Sequence, residues 1–134
     1  MFSISLAVVF SAKAPLSREK LQKESKFVFF GEVIDISSKD QKSEIETGPG
    51  IHRDRVYSIR IKITAVEKGA DPSLNAEKIV IVQAWKPSKR IPPEPGLQGH
   101  KTIPKKGDNV RIFVEEAKNS VFHPILPNGI QIIE

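Results

Sequence analysis

Histidine is the residue type in this chain with the widest chemical range, because its side chain titrates near neutral pH and also binds metals. The 134 residues contain three histidines, His52, His100 and His123, and no cysteine. No histidine falls in a metal-binding spacing such as His-Glu-x-x-His, and each lies in or beside a predicted loop or strand end. We therefore predict solvated loop histidines and no metal site. The lack of cysteine excludes disulfides, zinc–thiolate sites and thiol nucleophiles.

The sequence also lacks the short patterns that mark common catalytic sites. It contains no Gly-x-Ser-x-Gly segment, which would place a nucleophilic serine. Glu115 and Glu116 are neighbours on a predicted strand, so their carboxylates point to opposite faces and do not form an acid–base pair. The segment 48–50 (Gly-Pro-Gly) lacks the Gly-Lys-Ser/Thr ending of a phosphate-binding loop. The sequence thus predicts a protein that is not an enzyme and uses no cofactor.

The best candidate for a binding site is a basic, proline-rich segment, residues 86–108. It holds five of the ten prolines of the chain. A loop of more than about 20 residues without regular structure is uncommon unless it is functional or disordered. The predicted contact residues are Trp85, Lys89, Arg90, His100 and Lys101. Trp85, at the base of the loop, is either a core residue or an exposed contact residue. Prolines would reduce the entropy lost when the loop binds a partner.

A long alternating segment is expected to position this loop. Between Tyr57 and Ala65 apolar and polar residues alternate, which predicts a strand over residues 53–66 with one buried and one solvated face. Such a strand needs partners that curve around it, which favours a small barrel. Further strands are predicted over residues 26–36, 78–85, 109–116, 121–126 and 130–133.

The remaining segments join or cover these strands. Residues 16–25 are predicted to form a short helix, with Ser17 as its N-cap, over one end of the barrel. Gly31, inside an apolar run, indicates a bulge or a barrel corner. Residues 37–51 are polar and end in turn-forming residues, which predicts a long, mobile hairpin loop.

Residues 1–14 have features of a secretory signal peptide. An apolar stretch, residues 2–10, precedes the small-x-small pattern of residues 12–14, although no basic residue separates Met1 from the apolar stretch. The alternative is that these residues form a first strand or a buried segment of the fold.

Residues 15–134 are predicted to be a single domain. No apolar run reaches the length of about 20 residues that a membrane-spanning helix needs. The net charge of +5 weakly favours acidic partners.

The order of these elements resembles the netrin-like modules related to tissue inhibitors of metalloproteinases, in a cysteine-free bacterial form. The residues that carry the resemblance are FVFFGEVIDI at 27–36, the strand from Tyr57 to Lys68-Gly69, IVIV at 79–82, and GDNV at 107–110. The resemblance covers residues 16–134. It implies a mainly β fold: a five- to six-stranded OB-type barrel with one short N-terminal helix and a long proline-rich loop. The C-terminal half also resembles small secreted bacterial proteins of unassigned function.

The resemblance does not extend to protease inhibition. The metalloproteinase inhibitors bind the catalytic zinc through a mature N-terminal cysteine, and this chain has no cysteine. What the resemblance implies is the fold and an extracytoplasmic binding role. We therefore expect a secreted or periplasmic, non-enzymatic module that binds a protein or an acidic component of the cell envelope.

The alternative is a cytoplasmic OB-fold protein that binds single-stranded nucleic acid. That activity needs basic residues beside exposed aromatic side chains, on which bases stack. Arg60 and Lys62 on the solvated strand face, with Arg53 and Arg55 nearby, supply charge. Tyr57, however, falls on the apolar face. Only Trp85 and Phe122 remain as candidate stacking residues, so the sequence makes nucleic-acid binding the less favoured function.

Overall fold

The computed structural model of this chain describes residues 14–42, 50–91 and 99–134. Within these residues the protein is mainly β, with one short helix and six strands. In chain order the elements are α1 (Arg18–Glu24), β1 (Phe27–Lys42), β2 (Ile51–Lys68), β3 (Ile79–Ile91), β4 (Asn109–Lys118), β5 (Val121–Pro124) and β6 (Ile130–Ile133). Of the predicted signal peptide, only Ala14 lies inside the described residues.

The six strands form one sheet that closes into a partial ring. Neighbouring strands follow the order β1-β2-β3-β5-β4-β6, and β1 also pairs with β4. The pairing of β3 with β5 is parallel, through residues 81–82 and 121–122, and the other pairings are antiparallel. The predicted fold class is confirmed in its coarse features: mainly β, one short N-terminal helix, and six strands.

Strand β2 supplies the centre of the hydrophobic core. Ile59, Ile61 and Ile63 are fully buried, as the alternation predicts, because every second residue of a strand points to the same face. They pack against residues from each of the other five strands, including Phe29, Val33, Val80, Val82, Ile112, Phe122 and Ile130. The core therefore lies on the inner face of the partial ring.

Helix α1 packs on the outer face of the ring. Its predicted N-cap is confirmed, because the side chain of Ser17 accepts a hydrogen bond from the backbone N–H of Lys20. Leu21, its buried residue, packs against Val28 of β1 and Phe113 of β4. These two residues alternate with core residues, so they face outward. The prediction that the helix covers a barrel end is therefore wrong.

No helix among the described residues has the length and apolar character needed to cross a bilayer.

The register of β1 against β2 shifts at Gly31, as the predicted bulge or corner requires. A Cβ atom at this position would overlap Cγ2 of Ile61 and would lie 2.7 Å from the carbonyl oxygen of Lys62. Only glycine permits two strands to approach so closely.

Beyond the ring, three strands continue as an antiparallel arm. The arm comprises residues 39–42 of β1, 51–56 of β2 and 85–91 of β3. By contrast, β4 pairs with β1 only at residues 27–32, and β5 pairs with β3 only at residues 81–82. The arm is held mainly by backbone pairing between its own strands.

The arm corrects two sequence predictions. The predicted hairpin loop is wrong for residues 37–42 and 51, and the predicted proline-rich loop is wrong for residues 86–91, because all of these lie in strands. Much of the arm is exposed or only partly buried, so its sequence lacks the alternation that reveals a strand. The middle parts of the two predicted loops, residues 43–49 and 92–98, lie outside the described residues.

Candidate functional site

One face of the arm concentrates positive charge. Residues that pair directly across neighbouring strands share a face of the sheet. We call this surface the basic face, and it consists of two such rows: Asp40, Arg55 and Lys86, then Lys42, Arg53 and Lys89. On β1 and on β2 the two rows are two residues apart, which places them on the same face. On β3 a register shift accommodates one extra residue between the rows.

The basic face carries five basic residues and one acidic residue. The acidic residue, Asp40, is already engaged: its two carboxylate oxygens accept hydrogen bonds from Nε and Nη2 of Arg55, at 2.9 and 3.3 Å. Lys86 is half-buried, and Lys89 is exposed. The two rows therefore carry an excess of positive charge, which attracts anions.

The opposite face of the arm contains a largely buried ion pair. Nη2 of Arg90 lies 2.6 Å from Oδ1 of Asp54, and the two side chains are only 8% and 15% exposed. Nη1 of Arg90 also donates to the backbone carbonyl of Arg53, at 2.7 Å. Arg90 was predicted as a contact residue of a loop, but it lies in β3 and its guanidinium fastens β3 to β2. Its structural role is therefore to stabilise the arm.

His100 is buried, with 4% of its surface exposed, so the prediction of a solvated histidine is wrong for this residue. Its Nδ1 accepts a hydrogen bond from the backbone N–H of Trp85, at 3.1 Å. Its Nε2 lies 3.0 Å from the carbonyl oxygen of Pro124. Because a backbone N–H only donates and a carbonyl only accepts, the ring is neutral with its proton on Nε2. Both ring nitrogens are thus occupied by backbone groups.

The other predicted contact residues are dispersed. Trp85 is half-buried and belongs to neither hydrophobic cluster. It pairs with Val56 on the face of the arm opposite the basic face. Lys89 lies on the basic face, and Lys101 is exposed next to His100. The structure brings Trp85 and His100 into contact, but it does not assemble the five predicted residues into one surface.

A second surface, on the outer face of the ring, is concave. It encloses about 420 Å³ beside β1, β2, β3 and β5. Its lining residues are Ser37, Ser38, Lys39, Val56, Ser58, Ile81, Gln83 and Val121. None of them is aromatic. Sequence reasoning missed this surface because serine, glutamine and single aliphatic residues carry no motif.

The structure also removes one of the two candidate stacking residues. Phe122 is 1% exposed, and its ring makes edge contacts with Phe27 and Phe29 at centroid distances of 5.6 and 5.9 Å. It is a core residue, and its ring is not accessible to a base of a nucleic acid. The prediction of Phe122 as a nucleic-acid contact is therefore wrong.

The predicted contact residues include only one of the five basic residues of this face, Lys89. The other four lie on three strands and come together only through the register: Lys42, Arg53, Arg55 and Lys86. A weak sequence signal exists, since Arg53 and Arg55 are two residues apart and so lie on one face of a strand.

No protein-family model, curated protein or solved structure matches this chain. In the described parts of the chain, no group of three or more histidine, aspartate or glutamate residues is arranged to hold a metal ion. The features of this chain that bear on function are the basic face, the ion pair behind it and the buried histidine.

Proposed function

We propose that this chain is a non-enzymatic, secreted or periplasmic binding module that binds an acidic protein segment or an acidic envelope component through the basic face. One observation carries the proposal. The register of three strands places five basic residues in two neighbouring rows, and Asp40, the one acidic residue of those rows, is bonded to Arg55. A non-enzymatic role is supported by His100, the buried histidine, whose two ring nitrogens are both engaged by backbone groups.

The fold proposal is an OB-type barrel. An OB-type barrel is a five-stranded, partly open Greek-key barrel. The pairing series β1-β2-β3-β5-β4, with a return from β4 to β1, supports this assignment. The netrin-like relationship stays a prediction from the sequence. The arm extends three strands of the ring.

The geometry of the basic face suits an extended polymer with repeated negative charges. Neighbouring strands lie about 4.8 Å apart, and residues two apart on one strand lie about 6.8 Å apart. Side chains two residues apart in an extended peptide are also about 6.8 Å apart. Acidic residues at alternate positions of such a peptide can therefore contact the two rows of the basic face. Each exposed ion pair contributes only about 0.2–1 kcal/mol, so several contacts are needed. Such binding weakens with salt, because the Debye length is about 8 Å at physiological ionic strength.

An acidic protein fits this surface better than single-stranded nucleic acid does. Binding of single strands without sequence preference relies on aromatic stacking as well as charge. No aromatic residue is present in the two rows of the basic face or in the lining of the concave surface. Tyr57, two residues after Arg55 on the same face of β2, packs against the hydrophobic core, so the basic face offers charge without an exposed stacking platform.

Fluorescence anisotropy with a labelled, glutamate-rich peptide tests the proposal. We expect salt-sensitive binding that the double variant Lys86→Ser/Lys89→Ser weakens about two- to thirtyfold, since it removes two charge contacts. The matched control is Lys105→Ser/Lys106→Ser, which removes the same charge from exposed positions outside the arm. The control should bind like the wild type.

Three outcomes would contradict the proposal. The first is equal weakening in both double variants, which would indicate attraction by net charge alone. The second is undetectable peptide binding at low salt together with no binding to vesicles that contain an anionic lipid. The third is tighter binding to a thymidine oligonucleotide than to the peptide, which would favour the nucleic-acid alternative.

A further inference from the structure

Residues 99–104, which we call the strap, lie along the edge of β3 next to the end of β5. The strap begins at Gly99, whose backbone is so close to β3 that a Cβ atom would lie 2.5 Å from the carbonyl oxygen of Trp85. Lys101 donates its backbone N–H to the carbonyl of Pro127, at 2.6 Å. At the other end Ile103 packs against the main core, and Pro104 is buried. The strap is therefore fixed at both ends, by different interactions.

His100 makes every described hydrogen bond between the strap and β3. Its backbone N–H donates to the carbonyl of Trp85, at 2.8 Å, and its Nδ1 accepts the N–H of the same residue. His100 alone therefore satisfies both the backbone N–H and the backbone C=O of Trp85 at the edge of β3. The Nε2 atom then extends the connection to Pro124 at the end of β5. One side chain thus joins the strap to β3 and β5.

We propose that His100 is a pH-operated latch, and that protonation of its ring releases the beginning of the strap from the edge of β3. An imidazolium ring donates from both nitrogens and accepts at neither. Its Nδ1–H would then face the N–H of Trp85, donor against donor. The hydrogen bond would be lost and replaced by repulsion, and a cation would be left in a buried site. Movement of the ring toward solvent relieves both costs, and it also breaks the link from Nε2 to the carbonyl of Pro124.

The surroundings of His100 do not favour its protonated form. The titratable groups on the elements packed against it are His123 of β5, Lys101 of the strap, and Lys86, Lys89 and Arg90 of β3. Burial is the main cause that lowers the pKa of His100 below its ordinary value of 6.5, and the charge of His123 lowers it further. The hydrogen bond to the carbonyl of Pro124 acts in the opposite direction, whereas the N–H that Trp85 donates to Nδ1 stabilises the neutral ring. No carboxylate is among the groups that shift this pKa.

The direction of the pH effect follows from this shift. In the closed state the pKa of His100 is depressed, whereas a released ring has its ordinary value of 6.5. Above pH 6.5 the ring is neutral in both states, and the closed state keeps its full stability. As the pH falls from 6.5 to the pKa of the closed state, the closed state loses stability relative to the released state. Between these two values the opening equilibrium rises about tenfold for each pH unit.

Trp85 is the only tryptophan of the chain, so its fluorescence reports directly on the latch. We expect the emission of the full chain to change as the pH is lowered from about 8 to about 4, with a midpoint below the ordinary value for histidine. The variant His100→Gln keeps one donor and one acceptor but does not titrate, and it should abolish the change. The control His123→Gln should retain it. An unaltered fluorescence titration in His100→Gln would overturn the proposal.

Hydrogen exchange of the wild-type chain separates latch opening from general acid unfolding, and it needs no variant. The amide of Trp85 should lose protection at least tenfold more than the core amide of Ile61 as the pH falls, after correction for the chemical exchange rate. Equal loss of protection at both amides would show that His100 only contributes to global stability. No loss at Trp85 would show that the latch stays closed.

Discussion

Replacement of Arg90 by alanine should destabilise the arm far more than replacement of its neighbour Lys89. The two residues are adjacent and equally basic in sequence, but the structure gives them opposite environments. The guanidinium of Arg90 lies 2.6 Å from the carboxylate of Asp54, with 8% of the arginine side chain exposed. The side chain of Lys89 is exposed on the opposite face.

The size of the effect follows from the unpaired charge that the substitution leaves. Removal of one partner of a buried ion pair costs about 3–5 kcal/mol, because the remaining charge is desolvated without compensation. Asp54 is 15% exposed, so some water reaches it, and we expect about 3 kcal/mol for Arg90→Ala. For a chain of this size that loss lowers the melting temperature by about 10 °C. Lys89→Ala should change stability by less than about 0.5 kcal/mol.

Thermal and urea unfolding of the two variants measure this difference. If the arm opens without the ring, the loss appears instead as faster hydrogen exchange, by about a hundredfold, at arm amides such as that of Val56. A double-mutant cycle isolates the pair. Asp54→Ala with Arg90→Ala should cost less than the sum of the single changes, by about 1–3 kcal/mol. Equal stability of the Arg90 and Lys89 variants, or additive effects in the cycle, would show that the ion pair does not fasten β3 to β2.

Two further predictions concern the ring. Gly31→Ala would place a Cβ atom 2.7 Å from the carbonyl oxygen of Lys62, so we expect a loss of about 1–3 kcal/mol in urea unfolding. A variant as stable as the wild type would show that the strands can separate here at little cost. Phe122→Ala removes a ring that is 1% exposed and contacts two other phenylalanines, and should cost about 3–5 kcal/mol by the same measurement. A loss below about 1 kcal/mol, typical of surface positions, would contradict its assignment to the core.

The ring could be predicted from the sequence to a large extent. The alternation from Tyr57 to Ala65 located a strand whose isoleucines are buried. Ser17 and Gly31 marked the start of the helix and the register shift. In each case the signal is local, because burial of every second residue leaves a period of two, and because caps and bulges require particular residue types.

The arm and the candidate site could not be predicted in the same way. Residues 86–91 are rich in charge and contain a proline, which favours a loop, yet they form the last part of β3. Their strand is stabilised by backbone pairing with β2, and backbone groups are the same whatever the side chain. His100 gave no sequence signal either, since its partners are 15 and 24 residues away.

The sequence by itself determined the local elements: which segments have a buried face, where the helix starts, and where a side chain cannot fit. Only the tertiary structure decided which charges meet. Lys42, Arg53 and Lys89 become neighbours because of the strand register, and Arg90 becomes buried because the same register places Asp54 within reach. Periodicity reports whether a residue is buried, but charge clustering depends on which strands pair and in which register. In a strand that is polar on both faces, no burial pattern specifies that register.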